Sequence, residues 1–432
     1  MRDFATSDDP EVQRQLDRLA ALSLPQGRFG LETIRALCDR LGNPERRLPP
    51  VFHVAGTNGK GSTCAYLRAI LEAQGYTVHA ATKPHLVRYN ERIRIAGKLV
   101  SDPELAALLG EVLDAGDDLN PSFFEVTTAA TFLAFARNRA DACVIEVGLG
   151  GRFDATNVLD HQAACGIASL GIDHEAFLLA PEDGVPQEPL CRIGFEKAGI
   201  ARAGVPLVTQ GYPNEVTRTI IEHAMLVGAK TAIRNLDWFA EIAERIAYRD
   251  VHGTLDLPLP EMPGAHQADN AALAVAMLRH QSALEVSPKA MANGIRAARW
   301  PARLQLLGPG PLTALAPGRK VWLDGGHNRN AGEALARYFG SASNIHLVVG
   351  MLANKDPAAI VEPLESTLAS ITAVPIPGSE AHPPAAYGPS ASSAKDVASA
   401  LAALPDDGQD ILIAGSLYLA GAVLSANGEL PD

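Results

Sequence analysis

The 432-residue chain has no apolar run approaching the roughly 18–20 residues that a membrane-spanning helix needs. Its opening residues, MRDFATSDDPEVQRQ, are polar and lack the apolar segment of a secretory signal, so the expected location is the cytoplasm, with no membrane partner. Cysteine is scarce. The five (Cys38, Cys64, Cys143, Cys165 and Cys191) are scattered, and no two are spaced as CxxC. That suggests neither a zinc site nor a disulfide framework. Cys143 and Cys165 fall inside apolar runs and are expected to be buried. Basic residues are in deficit, 37 against 49 acidic, for a net charge of −12. This argues against a nucleic-acid surface. It leaves room for an anionic small ligand, because a helix N-terminus, one lysine and a metal make a local positive site. No internal repeat and no long low-complexity tract occurs. The last absence is local. Residues 53–63 read HVAGTNGKGST, and the residue after the lysine is Gly61. A phosphate loop normally places Ser or Thr there, so that a hydroxyl can bind Mg²⁺. Val54 likewise holds the position of that pattern's first glycine.

What is present is an ordinary globular composition, 47% hydrophobic and 20% charged. The length exceeds what one hydrophobic core normally serves, which predicts two domains. The first 50 residues read as helical and end in the connector RRLPP. PVFHVA is then a strand, GTNGKG a turn, and STCAYLRAILEAQG a helix that Gly75 stops. TVHAAT, ACVIEVG (142–148), ACGIASLG (164–171) and VPLVTQG (205–211) are further short apolar runs. Strands alternating with helices predict a parallel sheet covered on both faces. After RWPARLQ (299–305), four more such runs (KVWLDGG, NIHLVVG, SITAVPI and DILIAGS) alternate with helical segments near 330–338, 356–369, 393–403 and 417–425. The expected division is residues 1–298 and a smaller α/β domain, 299–432. The Pro/Ser/Ala-rich stretch 377–393 reads as a loop.

A strand, a glycine-rich turn with lysine, then a helix is the setting that phosphate binding requires. Thr57, Asn58, Gly59, Lys60, Gly61 and Ser62 are therefore the candidate nucleotide contacts. Glycine lets the backbone approach the phosphates, and Lys60 can bridge the outer ones. Glu146, in IEVGLGG, ends a hydrophobic strand beside glycines. A carboxylate there is expensive unless it serves a partner.

HVAGTNGKGST resembles the ATP loop of the Mur ligase superfamily, in its folylpolyglutamate synthase/dihydrofolate synthase branch. KPHLVRYNERI (83–93), FFEVTTAATF (123–132), IEVGLGGRFDATN (145–157), IDHE (172–175), FEKAGI (195–200), HQADNAALA (266–274), PARLQ (301–305), LDGGHN (323–328) and GSLYLAG (415–421) resemble that branch in the same order. The resemblance implies a Mur-ligase-like α/β fold: an N-terminal P-loop ATPase domain with a parallel sheet, and a smaller C-terminal α/β domain that closes the site. It implies that ATP phosphorylates an acid, that L-glutamate attacks the acyl phosphate, and that phosphate leaves. The implied partners are ATP, Mg²⁺, dihydropteroate or a reduced folate, and L-glutamate, acting on a monomer.

Residue by residue, the resemblance makes Glu146 and His174 Mg²⁺ ligands. It makes Lys197 a carbamylated lysine that helps hold a second metal. It assigns Ser122, Phe123, Phe124 and Glu125, with Phe153, Asp154 and Ala155, to dihydropteroate. It makes Asn270, Arg303 and Asp324 ATP contacts, and it places His327 and Ser416 near the incoming glutamate and the closing interface. Lys60, Glu146, His174, Lys197 and His327 form the implied catalytic set. The chain departs from the family in five places, one being Ser122, which stands where Thr is usual and keeps the hydroxyl. Lys83 replaces the serine of an SPHL motif, which supplies the hydroxyl missing after Lys60. A protonated ammonium cannot ligate a metal, so three outcomes stay open. Lys83 replaces a cation near the phosphates, it swings aside for water, or it disables the site; Ser62 is the nearest other hydroxyl. The stretch FLLAPEDGVPQEPLCRIG before Lys197 is longer than the family's connector. Ala302 stands for a usual Gly, and Gly326 for a usual Ala, both read as chemically neutral. The expected activity is dihydrofolate synthesis, with extension of reduced folates by further glutamates. The rivals are a Mur-type ligase for another acid and a non-catalytic ATP-binding relative.

Overall fold

The computed structural model describes residues 6–22, 30–340 and 344–431. Residues 1–5 and 23–29 of the expected N-terminal helical region lie outside the described residues; within it, helices run over Pro10–Ala20 and Glu32–Arg40. No helix among the described residues is long and apolar enough to cross a membrane.

The chain forms two compact units. The first comprises Met1–Pro84, Arg88–Glu261 and Gln267–Ala298, and the second His85–Val87, Met262–His266 and Arg299–Asp432. The strands of the first unit are β1 (Val51–Ala55), β2 (Val78–Ala81), β3 (Ile93–Ile95), β4 (Lys98–Leu99), β5 (Ala142–Glu146), β6 (Gln162–Ile167), β7 (Pro206–Thr209) and β8 (Lys230–Ile233). They build one sheet in the order β4-β3-β2-β5-β1-β6-β7-β8. From β2 to β8 the pairing is parallel, and β3 and β4 add an antiparallel edge. Every residue of β1 and β5 is buried, as both-faces-covered parallel strands require. The helix Lys60–Gln74 is buried along most of its length. One neighbour is the helix Pro288–Ala297, whose Gly294 has no side chain: a Cβ there would lie 2.4 Å from the Ile70 Cα.

Beyond β8 the chain folds a three-stranded antiparallel sheet, β9 (Phe239–Ile242), β10 (Ile246–Asp250) and β11 (Gly253–Leu257), in the order β11-β10-β9. It was not expected from the sequence. Its strands alternate polar residues with few apolar ones, and Ile246 and Tyr248 supply the buried face. Tyr248 stacks on Trp238 at 5.9 Å.

The second unit carries β12 (Gln305–Leu306), β13 (Val321–Leu323), β14 (Ile345–Val349), β15 (Leu368–Ala373), β16 (Ser392–Ser393) and β17 (Ile411–Ala414), in the order β12-β13-β17-β14-β15-β16. Helices Arg329–Phe339, Ala358–Leu364, Val397–Ala403 and Leu417–Asn427 lie where helical patterning was read. Residues 377–393 are mostly loop, with a short turn of helix at Pro384–Tyr387 and β16 at the end. The loop is anchored: the Met351 amide donates to the Tyr387 hydroxyl at 2.9 Å. The excursion His85–Val87 joins this unit because Leu86 and Val87 pack on its core. Gly421 permits it, since a Cβ there would sit 1.8 Å from the Leu86 carbonyl oxygen.

Register positions the site. Val54 on β1 lies opposite Glu146 on β5 and Gly166 on β6. The loops that follow these three strands, carrying GTNGKG, GLGGRFDATN and SLGIDH, therefore leave the sheet side by side.

Candidate active site

The turn after β1 ends at Gly59, whose φ of +81° starts the Lys60 helix in a conformation glycine adopts without strain. The first amides of that 15-residue helix, at Lys60, Gly61 and Ser62, have no partner within the helix. The Lys60 ammonium folds back on the turn, donating to the Gly56 and Thr57 carbonyls at 3.0 and 3.2 Å. The Thr57 hydroxyl donates to the Gly171 carbonyl at 2.8 Å and accepts from the Gly171 amide at 3.1 Å. The Thr57 and Asn58 amides both donate to the Ser169 carbonyl. The turn and the loop after β6 are thus one bonded piece. Asn270 also packs against it: a Cβ on Gly59 would lie 2.4 Å from the Asn270 Oδ1. Thr57, Asn58, Gly59, Lys60, Gly61, Ser62 and Asn270 are brought together.

Glu146 is buried at the end of β5, and its Oε2 accepts the Lys83 amide at 3.0 Å. The Lys83 ammonium lies 4.0 Å from the Phe124 ring centroid and 3.5 Å from the Thr128 hydroxyl. Burial pulls this ammonium down to about 8, and Asp154 and Glu146 work against the shift. Phe124 meets Phe123 edge-on at 5.7 Å and lies against Gly148, where a Cβ would be 1.8 Å from the Phe124 Cζ. Phe123 and Phe124 are both partly buried.

Ser122 and Glu125 have a job the sequence reading did not give them. They form a reciprocal cap at the start of the helix Phe123–Arg137. The Glu125 carboxylate accepts from the Ser122 amide and hydroxyl at 2.8 Å each, and the Glu125 amide donates back to the Ser122 hydroxyl at 3.3 Å. Asp154 is equally committed. Its Oδ2 accepts the Gly148 and Leu149 amides at 3.0 and 2.9 Å, and its Oδ1 accepts the Thr156 amide at 3.0 Å and hydroxyl at 2.5 Å. The Thr156 hydroxyl lies 2.8 Å from the His53 Nε2. Burial pushes His53 down to about 3, so it is neutral and Nε2 carries its proton. Asp154 therefore shapes the glycine loop after Glu146, with buried Ala155 beside it. The Phe153 ring carries the Arg152 guanidinium at 4.3 Å.

His174 starts the short helix Glu175–Leu178 with φ of +55°, and its side chain is 37% exposed. Asp173 orients the turn by accepting the His174 amide at 2.8 Å. Lys197, in the last turn of the helix Pro189–Ala198, is buried. Burial first, and then the charge of Lys60, pull its ammonium down to about 7 against the opposing pull of Asp173, Asp154 and Glu196. Gly151 lets the loop lie on this helix end: a Cβ there would be 2.7 Å from the Glu196 carbonyl oxygen.

Among the described residues, no three His, Cys, Asp or Glu side chains converge as a complete metal-ligand set. The donors nevertheless fit a hard cation whose shell is completed from outside. Glu146 offers a buried carboxylate, His174 an imidazole that solvent reaches, and Lys197 a buried amine with an accessible neutral form.

In the second unit Asp324 does what the sequence did not reveal. Its Oδ2 accepts the Leu304 amide at 2.8 Å and its Oδ1 the Gly326 amide at 2.7 Å. It thereby holds the loop that presents Arg303. Ala302 and Leu304, on either side, have φ of +55° and +45°. Arg303 makes no hydrogen bond or ion pair among the described residues. The His327 Nδ1 lies 3.0 Å from the Gly325 carbonyl, and Ser416 caps the Leu417 helix by accepting the Tyr418 amide at 3.1 Å.

The two family departures here have conformational meaning. An alanine at 326 would place its Cβ 2.7 Å from both Asp324 Oδ1 and Ala331 Cβ, which glycine avoids. At 302 a left-handed alanine costs roughly 1–2 kcal/mol. A glycine would lose about 0.5–1 kcal/mol of entropy and about 0.8 kcal/mol of methyl burial in return. Ala302→Gly should therefore leave the urea midpoint nearly unchanged. Ala302→Val, β-branched at positive φ in a packed site, should cost at least about 2 kcal/mol in the same measurement.

Two α/β units in this order, with a glycine–lysine turn after the central strand and a buried carboxylate at its neighbour's end, define the class: a Mur-type ATP-dependent ligase. The chain is 37% identical over 355 residues to the dihydrofolate synthase/folylpolyglutamate synthase of Escherichia coli, covering 81% of this chain and 78% of that protein. It belongs to the dihydrofolate synthase/folylpolyglutamate synthase family. Its fold matches the solved E. coli FolC in complex with DHPP and ADP, with a TM-score of 0.83, 33% identity and 97% of each chain covered. It matches equally, at a TM-score of 0.83 and 31% identity over 99% of each chain, a bifunctional folylpolyglutamate synthase/dihydrofolate synthase with Mn, AMPPNP and L-glutamate bound. No family model matches the chain.

Proposed function

We propose that the protein joins L-glutamate to dihydropteroate with ATP, forming dihydrofolate, and adds further glutamates to reduced folates. The observation that carries this reading is the side-by-side placement of the Lys60 helix start and buried Glu146 at the ends of adjacent strands. The amides of Lys60, Gly61 and Ser62 receive phosphate oxygens, and Lys60 exchanges its two carbonyl partners for the outer phosphates. Glu146 and His174 would hold one Mg²⁺, and Lys197, as its carbamate, would help hold a second. When bound, the metal supplies countercharge for the polyphosphate. The acid's carboxylate oxygen attacks the γ-phosphorus and ADP leaves. The glutamate amine then attacks the acyl carbon and phosphate leaves. We place His327, whose Nδ1 lies 3.0 Å from the Gly325 carbonyl, near the incoming glutamate. Arg303 contacts the nucleotide.

Lys83 faces the aromatic side of this site. We place its ammonium beside the acid substrate, where it balances carboxylate charge. The test is phosphate release with ATP, Mg²⁺, L-glutamate and dihydropteroate, comparing wild type with Lys83→Ser. The wild type should turn over only with both substrates present. Lys83→Ser should mainly shift the Mg²⁺ concentration for half-activity, by up to about tenfold, the effect of about 1.4 kcal/mol. If only the serine variant turns over, Lys83 has disabled the natural chain and the ligase reading is wrong. Turnover with UDP-linked acids in place of dihydropteroate would reassign the substrate.

A further inference from the structure

The stretch before Lys197 that is longer than the family's connector contains Glu182, and the structure gives this residue a place at the site. Four charged side chains interlock around it. Arg152 donates to Glu182 through Nη1 at 3.0 Å and Nη2 at 2.5 Å, and to Glu196 through Nε at 3.1 Å and Nη2 at 2.7 Å. Arg192 donates to Glu182 Oε2 at 2.8 Å, and its Nε pairs with Glu196 Oε1 at 3.1 Å. The side chains of Arg192 and Glu196 are 7% and 6% exposed, and those of Arg152 and Glu182 19% and 14%. Two guanidinium groups face two carboxylates, so the quartet is neutral.

Three of its members flank motifs of the site. Arg152 precedes Phe153 and Asp154, its amide donates to the Glu196 carbonyl at 2.8 Å, and its guanidinium lies between the Phe153 and Phe195 rings at 4.3 and 4.9 Å. Glu196 precedes Lys197, and Arg192 lies on the same helix. Asn157 ties the pieces again, donating to the Arg152 and Gly199 carbonyls at 2.9 and 3.0 Å. Of the two members inside the longer stretch, Arg192 lies on the Pro189–Ala198 helix and Glu182 on the loop before it, which is closed on itself by Gln187 donating to the Glu182 carbonyl at 3.2 Å. Without its carboxylate, two largely buried guanidinium groups would share one carboxylate, and like charges that close repel. The side-chain clamp between the glycine loop and the end of the Lys197 helix would loosen, leaving the Arg152–Glu196 and Asn157 bonds to hold them.

We propose that Glu182 is a positioning residue that clamps the Arg152 loop to the Pro189–Ala198 helix and so fixes Lys197 for metal binding. This rests on the reading of Lys197 given under Proposed function. The longer connector is then a part of the site, supplied by this chain as a second support for its metal-binding lysine.

The test is Mn²⁺ titration of the full chain with a non-hydrolysable ATP analogue, following the free Mn²⁺ signal. Glu182→Gln keeps the shape and removes the charge. It should weaken by about 10–100-fold the Mn²⁺ site that Lys197→Ala also removes. Metal-free binding of the analogue should stay unchanged, and Glu182→Asp should restore most of the Mn²⁺ affinity. Wild-type Mn²⁺ affinity in Glu182→Gln overturns the proposal. So does a parallel loss of Mn²⁺ binding, analogue binding and melting temperature, which would mark a general structural role. If Lys197→Ala itself binds Mn²⁺ as wild type does, the reading of Lys197 fails and takes this proposal with it, a result distinct from failure at Glu182 alone.

Discussion

Lys197→Ala is expected to lower kcat/KM for amide formation by about 10²–10³-fold, the range for losing one preorganised charged group from such a site. Its melting temperature should stay close to that of the wild type, because burying an amine already opposes its charge. The loss follows from the environment of Lys197. Burial, with the charge of Lys60 nearby, brings the ammonium down to about 7, which gives the proposed carbamylation an accessible free amine near neutral pH. Wild-type enzyme stripped of CO₂ should lose activity and regain it with bicarbonate, whereas the variant should ignore bicarbonate. The pH sign is fixed by the same value. The neutral amine is the reactive form, so at constant dissolved CO₂ the initial rate of carbamate formation should rise between about pH 6 and 8 and then level off, while the yield goes on rising because each carbamate formed releases a proton. A lysine at its ordinary value would still be gaining at pH 10. Carbon-13 spectra of the labelled carbamate would read this directly. A flat profile, or full activity in Lys197→Ala, removes the carbamate from the mechanism.

Lys60→Met should be more damaging, with a loss of about 10³-fold or more in kcat/KM, since phosphoryl transfer depends almost wholly on positioning and charge. Methionine keeps the length of the stem and removes its charge. The ammonium's partners in the free protein are the Gly56 and Thr57 carbonyls, which water can serve, so melting should shift little. The two lysines also interact: Lys60 depresses the Lys197 amine. Its removal should therefore move the carbamate profile of Lys197 to higher pH. That shift is read in the carbon-13 spectrum, independently of catalysis. A Lys60→Met enzyme within tenfold of the wild type would show that the turn does not carry the triphosphate.

Much of this arrangement was legible in the sequence. Strands β1, β5, β6 and β7 are compact apolar runs with glycine within or soon after them, β2 reads as an apolar run, β8 was not expected from the sequence, and the Gly59–Lys60 turn stands between a strand and a helix as expected. The β9–β11 sheet was not legible, because its strands are mostly polar and only Ile246 and Tyr248 face inward along β10. Nor could residue type alone disclose what each polar atom does. Ser122 and Glu125 read as substrate contacts and cap each other across three residues, a pattern their S-x-x-E spacing would have signalled. Asp154 and Asp324 bond backbone amides that only the fold brings near them. The left-handed backbone at Ala302 gives no sign in composition, although the usual glycine there was a hint. The Arg152–Glu182–Arg192–Glu196 quartet spans 44 residues, and no local periodicity encodes it.

Thr57 has one more consequence. Its hydroxyl both gives a hydrogen bond to Gly171 and takes one from it, three residues before His174. On the function proposed above, nucleotide and cation would arrive on two loops bonded to each other, and neither loop would adjust to its guest without carrying the other. Linkage makes such coupling mutual: whatever affinity the triphosphate gains from the cation, the cation gains from the triphosphate. Loading should be cooperative, with the cation tightening the ATP analogue and the analogue tightening the cation by the same factor.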